Sequence, residues 1–151
     1  MENKKLKILD GTLELAIRLL CILRENPKSM NPERLIAYDY FCMFPADADS
    51  TRINLHPATS YRSCSFIGEN RTINSSLHLL LTKNLVKLEI VDSQTQYNLT
   101  KLGEIFIDSI DTKYMICLRE SVKWVCSFFR DYTAEELNSF VQTHVENWNL
   151  E

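Results

Sequence analysis

Glycine and proline are scarce here, three and four residues in a chain of 151. So few of either leaves little scope for tight turns and favours long helices with short connections. No apolar run approaches the roughly 20 residues that would span a bilayer. The basic N-terminus is followed only by Leu6 to Leu9, too short for the apolar region of a signal peptide, so a cytoplasmic protein is expected. The five cysteines are scattered with no Cys-x-x-Cys pair, which supports neither a disulfide framework nor a zinc site. Most are expected to be buried apolar residues in a reducing compartment.

Reactive constellations are missing as well. The three histidines, His56, His78 and His144, are isolated, and no two share the i, i+4 spacing of a helical metal site. There is no P-loop, no Gly-rich dinucleotide turn and no Gly-x-Ser-x-Gly elbow. Asp47 and Asp49 near His56 read as solvated or capping residues rather than a nuclease centre. Cys64, beside Arg62 and near a helix start, has no base assigned to it. A small enzyme is therefore the weakest reading, with no catalytic residue, cofactor or metal expected.

What is present is patterned charge. The net charge of -3 is unevenly spread. Residues 52–87 hold Arg52, Arg62, Arg71, Lys83 and Lys87 against Glu69 alone, whereas 131–151 hold Asp131, Glu135, Glu136, Glu146 and Glu151 with no Lys or Arg. A basic middle and an acidic tail suggest two surfaces for different partners.

Length allows one domain with one core, 1–151. Asp10-Gly11-Thr12 offers a cap for a helix over 13–24, with Leu13, Ile17, Leu20 and Leu23 on one face and Pro27 closing it. Asn31-Pro32 opens a second helix that ends before Pro45. The polar stretch 46–65 is too long for a simple connection. A third helix is expected from about Phe66 to Asn84. Then the period changes to two: Val86, Leu88 and Ile90 share a strand face, 92–95 reads as a turn, and 96–100 returns as a second strand. Thr100 caps a further helix over 101–107, and Tyr97-x-Leu99-Thr100-x-x-Gly103 is common where a wing returns to its last helix. Two helices remain, about 112–132 and one capped by Thr133 with Glu136 closing a capping box. The expected fold is mainly α with a small β-hairpin, a modified winged helix-turn-helix over 10–111 plus a C-terminal helical pair over 112–151.

The sharpest feature is the loop Leu55-His56-Pro57-x-x-x-Tyr61-Arg62-Ser63 after the helix Arg34-Leu35-Ile36-Ala37-Tyr38-Asp39-Tyr40. Together with Ile67 to Leu85, these residues resemble the middle component of ABC-three-component systems. That family comprises small winged-helix proteins found beside an SMC- or Rad50-like ATPase and an effector, as in Lamassu-type bacterial defence against phage and plasmids. The resemblance covers roughly 10–130. The chain departs from it where relatives continue Arg-Ser with Gly-Glu, since Cys64-Ser65 stands there, and Arg71 is the only arginine on the third helix.

The resemblance implies a non-catalytic subunit bridging the ATPase to a nuclease-type effector, with DNA contact possible only within the assembled complex; neither a membrane nor a small-molecule substrate is expected. His56, Pro57, Arg62 and Ser63 are carried over as the matching motif. Arg71 joins them as a partner-binding candidate, as do Glu135, Glu136 and Trp148 on the acidic last helix. The alternative is a stand-alone winged-helix DNA-binding transcriptional regulator. It would present Asn70, Arg71 and Asn74 to the major groove, and a homodimer would be expected. Four or five dispersed cations and a wing carrying Glu89 and Asp92 are few for that task.

Overall fold

A computed structural model describes residues 2–57 and 62–148, with side chains at 11–57 and 72–144. Six helices and one hairpin follow in order: α1 Glu2–Glu25, α2 Pro32–Met43, a 3₁₀ turn Pro45–Asp47, α3 Arg62–Thr82, β1 Val86–Val91, β2 Gln94–Leu99, α4 Lys101–Asp108, α5 Lys113–Phe128 and α6 Ala134–Trp148. The mainly α class with a small hairpin is thus present, and helix, hairpin, helix in this order is consistent with a winged-helix-like arrangement.

Three boundaries differ from the sequence expectation. Asp10-Gly11-Thr12 does not cap α1, which runs through it. Glu2 to Leu9 is rich in helix formers, and one interior glycine costs only about 1 kcal/mol. α3 begins at Arg62 rather than Phe66. The hairpin turn is also tighter. Only Asp92 and Ser93 lie between the strands, both with positive φ (51° and 66°), and Val91 pairs with Gln94. Positive φ at both central residues is the type I′ geometry whose twist matches the flanking strands.

Elsewhere local chemistry works as read. The Asn31 side chain accepts from the Arg34 amide, with Pro32 in the first turn of α2. Thr112 and Thr133 cap α5 and α6 through the amides of Met115 and Glu136. Thr100 does so for α4 through Gly103 N–H, and its hydroxyl donates to the Asn84 carbonyl at the end of α3. Gly103 is required by close approach, because a Cβ there would lie 2.0 Å from the Leu85 carbonyl oxygen.

α1 is the central element. From Leu15 to Leu23 every residue except the half-buried Ile17 is buried, and the helix packs on α2, α3, α4 and α5. Leu13, expected on the core face, is 48% exposed instead. An aromatic cluster of Tyr38, Phe41, Phe128, Phe129, Tyr132 and Phe140 joins α2 to the α5–α6 corner. Arg34 secures that corner, donating from Nη2 to the carbonyls of Phe129 (2.8 Å) and Tyr132 (2.9 Å). Phe129 is the C-cap of α5, where helix carbonyls need partners from outside the helix, and Tyr132 lies in the turn that follows. The hairpin is tied down by Met30, which exchanges both backbone hydrogen bonds with Tyr97.

Candidate partner-binding site

The loop that carries His56 is built on the end of α2. The carbonyl of Met43 accepts from the amides of both Leu55 and His56, and Asn54 Oδ1 accepts from the Ala46 amide. Tyr40 Oη donates to Asp47 at 2.6 Å, while Asp49 accepts from the amide and hydroxyl of Thr51. Both aspartates therefore hold the loop. Among the described residues no cluster of His, Cys, Asp and Glu could bind a metal.

Beneath the loop lies a buried ion pair absent from the sequence reading. Arg18 of α1 meets Asp39 of α2 through Nε–Oδ1 at 2.6 Å and Nη2–Oδ2 at 3.2 Å, with Asp39 fully buried and Arg18 7% exposed. Taking both charges out of water is costly, and a two-point fork is the geometry that offsets it best. The Arg18 charge also acts on the hydroxyl of Tyr114, the second residue of α5. That hydroxyl lies 2.8 Å from His56 Nε2.

The Arg18 charge disfavours a second cation at His56, and a neutral ring with its hydrogen on Nδ1 can accept the Tyr114 proton at Nε2. Burial, and next the Arg18 charge, hold the His56 pKa below its ordinary value. Burial likewise pushes the Tyr114 hydroxyl up. Asp39, Arg18, Tyr114 and His56 thus form one relay from the core to a half-exposed imidazole, beside the exposed Pro57. The signal in the sequence was a lone charge within an apolar run, Arg18 after Ile17 and Asp39 between two tyrosines.

Other expected site residues are placed as follows. Arg62 and Ser63 open α3 and Arg71 lies within it, but their side chains, with Tyr61 and Cys64, fall outside the described residues, as does the side chain of Trp148. Glu135 and Glu136 are exposed in the first turn of α6, and Glu136 accepts from the Thr133 amide at 3.4 Å to close the capping box. His144 donates from Nδ1 to the Phe140 carbonyl at 2.7 Å, so its role is local.

Two described cations of the basic middle are engaged within the chain. Arg52 stacks over Trp124, 4.9 Å from the ring centroid, and Lys87 pairs with Glu89 at 3.5 Å. The wing exposes carbon instead, with Leu88 48%, Ile90 75% and Val91 38% exposed. Thiol chemistry is similarly muted. Burial drives the Cys21 pKa to about 12 and that of Cys126 to about 11, and holds Cys42 well up too. Cys117 is exposed. No described helix is long and apolar enough to cross a membrane.

Comparison with curated proteins and with solved structures gave no match. Residues 8–151, most of the chain and all of the loop and relay just described, match a family model. The chain belongs to the ABC-three component (ABC-3C) system Middle Component 2 family, MC2.

Proposed function

We infer that this middle component is a non-catalytic accessory subunit bridging an SMC- or Rad50-like ATPase to a nuclease-type effector in a bacterial defence complex of the Lamassu kind. Family membership supports a role alongside the other components of such a system. The observation that carries the reading is the hairpin. A wing that reads DNA needs free cations near phosphates. This one spends Lys87 on Glu89 and exposes Leu88 and Ile90, a surface suited to protein.

Two surfaces would serve two partners in this reading. His56 and Pro57, with Arg62, Ser63 and Arg71 on α3, form the first. Its arginine forks suit partner carboxylates or phosphate. Glu135 and the end of α6 towards Trp148 form the second. Glu136 is a poorer reporter, because reversing its charge would also remove a helix cap worth about 1 kcal/mol.

The test is co-expression with the products of the neighbouring genes, followed by native mass spectrometry. A stable complex with a coiled-coil ATPase and an effector is expected, weakened by Arg62→Glu or Glu135→Lys. A chain that co-purifies with neither, and shifts DNA in a salt-dependent way, would overturn the reading in favour of the regulator.

A further inference from the structure

The free edge of β1 carries an unused pairing surface. The type I′ turn makes Val91–Gln94 a hydrogen-bonded pair, so Glu89 and Lys87 also point their backbone groups at β2. By alternation, Val86, Leu88 and Ile90 point theirs the other way. The same logic sends Tyr97 away from β1, and there it exchanges both bonds with Met30. β2 is therefore paired on both sides and β1 on one. Leu88 and Ile90 have no hydrogen-bond partner on that edge among the described residues.

Proteins normally protect such an edge with proline, a bulge or charged side chains, lysine above all. β1 has no proline and no bulge; its charges, Lys87 and Glu89, share one face, and two of the three side chains on its Val86 face are exposed aliphatics. A partner for this edge must match both faces, and the sequence of the strand identifies one. Val86-Lys87-Leu88-Glu89-Ile90 is complementary to itself when laid antiparallel about Leu88. Leu88 then meets Leu88 of the second copy, Lys87 meets Glu89, and Val86 meets Ile90.

We propose that β1 pairs edge to edge with β1 of a second copy of this chain, about a two-fold axis through Leu88, to form a four-stranded antiparallel sheet. The outward-facing backbone groups of Val86, Leu88 and Ile90 supply the hydrogen bonds. Each Lys87–Glu89 pair within a strand becomes part of a four-charge row across the axis, and the aliphatic side chains form a stripe on the opposite face. Opposite charges directly across a ladder stabilise it, and like charges destabilise it. Because an isologous contact uses every residue twice, one substitution changes two pairs.

Sedimentation equilibrium and native mass spectrometry of the whole chain test this, with three variants. The wild type is expected to be a concentration-dependent dimer. Glu89→Lys places Lys opposite Lys twice and weakens association by about tenfold or more. Lys87→Glu combined with Glu89→Lys exchanges the charges, restores the complement and returns the dimer to within about threefold of wild type. Leu88→Cys places two thiols about 5.5 Å apart between Cα atoms, within disulfide reach, and gives a crosslinked dimer on mild oxidation that the wild type does not. Lys87 and Leu88 are exposed and Glu89 is half-buried, and an unchanged circular dichroism melt certifies the fold. A monomer at all accessible concentrations overturns the proposal, as does a double variant no better than Glu89→Lys. In either case the edge is left to a strand of another component. A dimer alone does not favour the regulator over the accessory subunit; salt-dependent DNA binding does.

Discussion

Two regions of this molecule break the rule of apolar inside and polar outside, in opposite senses. Under the His56 loop, two charges sit in the core. On the hairpin, Leu88 and Ile90 stand in solvent. The first region is closed, because the Arg18–Asp39 pair is satisfied within the chain and its last member, His56, already has a hydroxyl partner. The second is open, since the outward backbone groups of Leu88 and Ile90 have no hydrogen-bond partner among the described residues and their aliphatic side chains are exposed. Buried polarity here holds the fold, and exposed apolarity points outward. Neither function can be inferred from residue type alone; what separates them is whether the partners are inside the chain.

Breaking the closed region should have the largest effect. Asp39→Ala leaves the Arg18 guanidinium buried without its counter-charge and is expected to cost about 3–5 kcal/mol. For a chain of this size that lowers Tm by about 10 °C or more. Thermal unfolding checks it, and a loss under about 1 kcal/mol would mean that water reaches Arg18 and that the region is not closed.

The root of the hairpin comes next. Gly103→Ala drives a methyl into the Leu85 carbonyl, and α4 must shift to relieve it, at about 1–3 kcal/mol. Amide exchange should then rise at Leu85, Leu99 and Thr100 before it rises in α1. Uniform loss would show that hairpin and core unfold together, and would blur the comparison.

Much of this was legible where the determinant was local. Asn31-Pro32 fixed the start of α2, Thr133 with Glu136 the start of α6, and Thr100 with Gly103 the return from the wing. Local rules also misled where they were nearly balanced. Gly11 looked like a boundary because its neighbours Asp10 and Thr12 cap helices well, yet the residues before it sustain α1. Asp92-Ser93 was read within a longer turn because it lacks the Asn-Gly signature, although Asp tolerates positive φ. The candidate site was legible only in part. His56 could be singled out as a polar residue with no packing duty. Its link to Asp39 through Arg18 and Tyr114 could not, because those partners lie on three helices and tertiary pairing leaves no periodic trace. Period two likewise put Val86, Leu88 and Ile90 on one face without saying that the core ends after the first.

The end of the relay gives the smallest effect and the most specific one. His56 is held neutral, with its folded pKa below the unfolded value near 6.5, by burial and by Arg18. The unfolded chain therefore binds the proton more readily, and stability is full above about pH 6.5 and declines as pH falls through that value towards the folded pKa. Protonation also removes the acceptor at Nε2, so Tyr114 loses the partner for its own proton. The melting temperature of the wild type is expected to fall between about pH 7 and about pH 5, more steeply than that of His56→Asn, in which the titrating ring is absent. Groups that titrate in both proteins cancel in the difference. Equal slopes would place His56 outside the relay, free to turn into solvent. A steeper wild-type slope would tie the exposed loop to the buried ion pair, with the imidazole as the one member of the closed region that the environment can still address.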